Sequence, residues 1–207
     1  MKKMSLILFA ALWFMVGCAS GNRHTLSELE STQIKKTLGV EVFVDEEYRI
    51  SRFLFWTWEN NWRGDIRHLI QESSQKLENE FDVRLVLKNL QPWTPSKKAE
   101  SLSHFRKMLG SEVLSGRLKR VDPVSLIIGF TGDSYGDGKA GNANSLSGVA
   151  VVKTRSDAKT VEHEILHLLG AHHSDEPSLM HPQQSRTTDE IDPINRERVK
   201  NFLFFTP

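Results

Sequence analysis

Between positions 163 and 173 the chain runs His163-Glu164-Ile165-Leu166-His167-Leu168-Leu169-Gly170-Ala171-His172-His173, and this spacing restricts the local fold more than any other stretch. On an α-helix, residues four apart sit about 6 Å apart along the axis and only roughly 40° apart around it. His163 and His167 can therefore turn two imidazoles towards one ion, with Glu164 beside them at the rim. A third ligand on the same helical face would leave the ion. Gly170 can take the positive-φ conformation that ends a helix and turns the chain back, so that His173 approaches from another direction. Three neutral imidazoles leave a fourth position open, which is the catalytic rather than the structural arrangement of zinc. Of the eight histidines, five fall between 163 and 181, a concentration that surface or core histidines do not require. His172 adjoins His173, but the spacing after Gly170 favours His173 as the ligand.

Seven residues after His173 comes Met180, within Ser178-Leu179-Met180-His181-Pro182. Together the two stretches resemble the metzincin clan of zinc peptidases, with its extended histidine signature and Met-turn. The resemblance implies that His163, His167 and His173 hold zinc, that Glu164 is the general base, that Gly170 makes the turn and that Met180 lies beneath the metal site. Proline two residues after the methionine is most similar to the matrixin and adamalysin type. Astacins and serralysins carry a metal-binding tyrosine at that place, whereas the tyrosines here are Tyr48 and Tyr135.

The chain opens with Met1-Lys2-Lys3 and an uncharged apolar run over 4–16, too short for an ordinary membrane span and suited to the apolar region of a signal peptide. The run ends in Met15-Val16-Gly17-Cys18, which resembles the lipobox of bacterial lipoproteins. That resemblance implies cleavage before Cys18, lipid on its sulfur and a bacterial envelope location, at the outer membrane or cell surface. Cys18 is the one cysteine, so an intramolecular disulfide is excluded. Lys and Arg number 27 against 26 Asp and Glu; residues 1–17 take two lysines and no acid, leaving a net side-chain charge of −1. A near-neutral balance gives no electrostatic reason to expect nucleic-acid binding. The expected organisation is a signal over 1–17, a lipidated cysteine and polar tether over 18–38, and one catalytic domain over 39–207, acting as a monomer.

Within that domain, 40–44 reads as a first strand and 83–87 as a second, joined by a helix over 65–81 with Asp65 as N-cap. Strand, long helix, strand is a crossover unit with parallel strands. The intervening aromatics Phe53, Phe55, Trp56, Trp58 and Trp62 are expected in the core, on a segment that is either strand or packed loop. Residues 97–118 look helical, with Gly110 as a weak point, and 124–130 reads as a central strand. Residues 131–147 read as a loop. Asp133 and Asp137 there offer oxygens to calcium, but a hard cation wants six or more and the spacing fits no standard calcium loop, so a solvated loop is expected. A strand follows over 148–152. By resemblance this is the edge strand on the cleft rim, placing Gly148, Val149 and Ala150 against substrate; residues 180–184, Pro182 among them, are expected to wall the pocket beside the metal together with the zinc helix. Ser156 or Asp157 caps the zinc helix, and a last helix over 194–204 puts Ile194, Val199, Phe202 and Leu203 on the core. The fold expected is α/β (α+β), a metzincin-like zincin. It has a twisted mixed sheet, a long helix, a zinc-binding helix and a small C-terminal subdomain with Met-turn and terminal helix.

The function implied is hydrolysis of peptide bonds in a protein or peptide substrate, with zinc as cofactor and lipid on Cys18 as the membrane contact. Two alternatives share these residues: a zinc-containing binding lipoprotein without catalysis, and an amidase acting on cell-wall peptides. Retention of Glu164 speaks against the first.

Overall fold

Val40, Glu41, Val42, Phe43 and Val44 are all fully buried, as expected of a strand covered on both faces in a parallel sheet. They belong to β1 (Lys36–Val44) in a computed structural model that describes residues 36–132, 135, 136, 138–153 and 157–205. Strand β1 thus begins inside the segment expected to be tether. Cys18, Asp133, Asp137 and Ser156 lie outside the described residues.

A short helix α1 (Glu46–Arg49) leads into β2 (Ile50–Phe53) and β3 (Trp56–Glu59), a two-stranded antiparallel hairpin. The expectation of an aromatic core here fails. Phe55 is 97 % exposed and Trp56 73 % exposed, and Trp58 is half exposed, whereas Trp62 turns inward. Alternation puts Trp56 and Trp58 on one face of a ribbon, and two strands alone cannot bury it.

Trp62 also moves the start of the next helix. Helix α2 (Trp62–Phe81) has Asn61 at its N-cap, and Asp65 sits in its first turn instead of capping it. The Trp62 indole is buried while its Nε1 donates to Glu59 at 2.6 Å, so packing begins three residues before the cap-type residue. Strand β4 (Val83–Pro92) then pairs with β1 in parallel, completing the crossover expected from sequence. Helix α3 (Leu102–Leu114) precedes the central strand β5 (Leu126–Thr131).

Two further strands, β6 (Gly141–Asn144) and β7 (Val149–Lys153), finish a sheet of order β4-β1-β5-β7-β6, all parallel except β6. This corrects two expectations. The stretch 131–147 contains a strand, and the strand over 148–152 is interior, with β6 at the edge. Alternation along the strands divides the core. Val42, Val44, Ile128, Phe130 and Val152 face α2 and the C-terminal helices; Phe43, Ile127, Val149 and Val151 face α3. Helix α4 (Ala158–Leu168) and helix α5 (Pro193–Phe205) follow. In α5, Val199 is buried and Phe202 and Leu203 pack on the core. Ile194 is 67 % exposed because Asn195, 1 % exposed, takes the inward place.

Candidate active site

Asp157 starts α4, its carboxylate accepting from the Thr160 N–H at 3.0 Å, an N-cap of the usual kind. Val161, Ile165, Leu166 and Leu168 fix the buried side of the helix. At its end, the Ala171 N–H donates to the Leu166 carbonyl and the Gly170 N–H to the His167 carbonyl. Those two bonds, with Gly170 at φ 90°, form a Schellman turn that a side chain at 170 would strain. The turn brings His173 back to the helix.

The ring nitrogens of His163, His167 and His173 then lie within 4.8 Å of one another, with ring centroids 4.6 to 5.4 Å apart. His163 Nδ1 is 2.8 Å from the Leu179 carbonyl oxygen, and His167 Nδ1 is 2.8 Å from that of Ala171. A carbonyl oxygen only accepts, so each Nδ1 carries the proton and each Nε2 presents a lone pair. Those two lone pairs face each other at 3.0 Å, a repulsive arrangement unless a cation lies between them. Nitrogens each about 2.0–2.1 Å from one tetrahedral zinc stand roughly 3.3 Å apart, so the donor set fits the ion. Burial lowers the His163 and His173 imidazoles below their ordinary value and pushes His167 down to about 4. All three are neutral at pH 7, as ligands must be.

Glu164 is 5 % exposed, and its Oε2 has no hydrogen-bond partner among the described residues. Burial pushes its carboxyl up to about 8, against the opposing charges of Lys139 and Arg106. Met180 is fully buried, one residue past the Leu179 carbonyl that orients His163. The Met-turn is closed by the Met180 N–H donating to Ser178 Oγ at 3.1 Å and the Ser174 N–H donating to the Met180 carbonyl at 3.0 Å.

These groups line a cleft of about 680 Å³ with His181, Pro182 and strand β6 on its walls. Pro182 lines the cleft. Gly148, Val149 and Ala150 do not border the cleft: Val149 and Ala150 are buried, and Gly148 ends the 3₁₀ turn Ser145–Ser147 at φ 63°. Gly141, Asn142 and Ala143 take their place, because β6 separates β7 from the edge. Sequence reasoning also missed His181, 5 % exposed, whose Nδ1 accepts the Gln183 N–H at 3.0 Å. It missed Arg106 on α3 as well, whose Nε donates to Asn142 Oδ1 at 2.6 Å. Neither carries a sequence pattern that would have singled it out.

Residues 35–196 match the sequence profile of the family described as Metallo-peptidase family M12. Among solved structures, archaemetzincin from Methanopyrus kandleri is similar at 14 % identity and a TM-score of 0.54, covering 81 % of this chain and 96 % of that one. Metalloproteinase-II from Bacteroides fragilis is similar at 20 % identity and a TM-score of 0.55, covering 82 % of this chain and 54 % of that one. At these identities the likeness is one of fold. No curated protein sequence matches the chain.

Proposed function

Since the chain belongs to metallopeptidase family M12 and is a zinc peptidase of metzincin-like fold, we propose that it is an endopeptidase that cleaves extended segments of protein or peptide substrates with Glu164 as general base. The observation that carries this reading is the convergence of the three imidazoles beside a buried carboxylate, in a cleft bordered by a sheet edge.

His163, His167 and His173 are the residues that would hold zinc. When bound, zinc supplies a Lewis acid for the scissile carbonyl, makes water nucleophilic near neutral pH and offsets the burial that raises Glu164. Glu164 takes the proton from the attacking water and returns it to the leaving amine. Its burial keeps bulk water from competing for that proton. Among the described residues strand β6 pairs with β7 on one side only, so its other side offers N–H and C=O groups to an extended chain as an added strand. A substrate held that way lies on both sides of the scissile bond, which favours internal cleavage. Thr187 and Pro182 wall the cleft opposite the strand.

The lipobox-like Met15-Val16-Gly17-Cys18 supports a lipid anchor in a bacterial envelope, with 36–205 as the enzyme. No described helix is long and apolar enough to cross a membrane. Cleavage of a mixed peptide library by the full chain, lost with a chelator and recovered with zinc, tests the activity.

A further inference from the structure

Gly141 faces Glu164 across the cleft wall. A Cβ placed on Gly141 would come within 2.5 Å of both Cγ and Cδ of Glu164, and its three nearest neighbours would all be Glu164 atoms. Carbon atoms in ordinary contact stand about 3.5–4.0 Å apart. Gly141 is not among the residues with positive φ, so its backbone conformation is open to other residues. What a side chain at 141 would meet first is the Glu164 side chain.

Strand β6 is held against movement. Gly141, Asn142, Ala143 and Asn144 pair with β7, the Lys153 N–H donates to the Ala140 carbonyl at 2.9 Å, and Arg106 grips Asn142 at 2.6 Å and Ser147 Oγ at 3.4 Å. The carboxyl of Glu164, by contrast, ends a flexible side chain beside an open cleft. A methyl group at 141 would meet Cγ as well as the carboxyl, so it would be accommodated by displacement of the Glu164 side chain from Cγ outward.

We propose that Gly141 is a positioning residue for Glu164: the missing Cβ lets the carboxyl lie against the braced edge strand, and the strand fixes where it points. This rests on Glu164 acting as the base, and it assigns to β6 a second task besides pairing with substrate. Arg106 supports it from behind by holding Asn142.

The test uses the full chain, zinc-loaded, on the peptide cleaved best in a mixed library. Gly141→Ala is expected to keep its zinc content and melting temperature, to leave KM within about twofold, and to lower kcat about 10- to 100-fold, the usual penalty for misplacing a reacting group by about 1 Å. In a Glu164→Ala background, which removes the Cγ and Cδ that the new methyl would meet, the same substitution should change the residual kcat less than about threefold, a coupling that general weakening of the strand would not give. Gly136→Ala, whose Cβ meets nothing within 4 Å, should behave as wild type. A crystal structure of zinc-loaded Gly141→Ala should show the carboxyl displaced with the three histidines unmoved, independently of activity. Wild-type kcat in Gly141→Ala while Glu164→Gln is inactive overturns the inference and leaves the base intact; an active Glu164→Gln overturns both. Loss of zinc or melting temperature in step with kcat makes Gly141 a structural residue and also overturns it.

Discussion

Asn195 holds both backbone groups of His172: its Oδ1 accepts the His172 N–H at 2.8 Å, and its Nδ2 donates to the His172 carbonyl at 2.8 Å. Helix α5 thereby fixes the segment that presents His173, and it does so without using the His172 ring. His163→Ala, His167→Ala and His173→Ala should each lose zinc, whereas His172→Ala should retain it. Asn195→Ala should weaken zinc binding about tenfold, as loss of an outer support does. Competition with a chromophoric chelator measures all five proteins. A site emptied by His172→Ala but not by His173→Ala would reverse the ligand assignment.

Glu112 on α3 is 5 % exposed and accepts from Trp93 Nε1 at 2.7 Å, the Ser96 N–H at 2.8 Å and Arg117 at 3.1 Å. Burial alone would raise its carboxyl, but the hydrogen bonds from Ser96 and Trp93 and the Arg117 charge outweigh burial and hold it below its ordinary value of 4.5. A value lowered by folding stabilises the fold above the unfolded value, and that contribution is lost as pH falls through the folded one. Glu112→Gln should cost about 1–3 kcal/mol at pH 7, and the gap to wild type should narrow in acid below the ordinary value. Urea titrations at several pH values check this; a gap that widens in acid would refute it.

Gly110 lies inside α3, and a Cβ there would meet Val149 Cγ2 at 3.6 Å, an ordinary contact. Gly110→Ala should stabilise the fold by about 0.5–1 kcal/mol through the helix preference of alanine. A lower melting temperature would contradict this placement of α3 on β7.

Cys18→Ser should abolish labelling by radioactive fatty acid and release the protein from membranes, with peptidase activity retained in the soluble fraction. Labelled lipid persisting on the variant would contradict the lipobox reading.

The histidine site was legible in the sequence because a helix and a Schellman turn are local devices, and the spacing from His163 to His173 specifies both. The crossover of β1, α2 and β4 was legible from β-branched runs on either side of a 3.6-residue period. Strand β6 was not, since Gly141-Asn142-Ala143-Asn144 holds no β-branched residue and becomes a strand only by pairing with β7. With β6 unseen, β7 was taken for the edge and the cleft-lining strand residues were placed seven positions too late. The aromatics at 55–58 show the opposite failure, for composition suggested burial that the rest of the fold does not provide. The approach of Gly141 to Glu164 joins residues 23 positions apart and leaves no local trace.

Hydrolysis by zinc-loaded Glu164→Gln tests the central claim most directly. The substitution keeps the shape of the side chain and removes its capacity to take a proton, and Glu164 is not among the three grouped nitrogen donors. Zinc content and melting temperature should match wild type, while kcat on a defined peptide falls by about two to four orders of magnitude, the usual contribution of a positioned base. A zinc-loaded Glu164→Gln protein that cleaves at the wild-type rate would contradict the account.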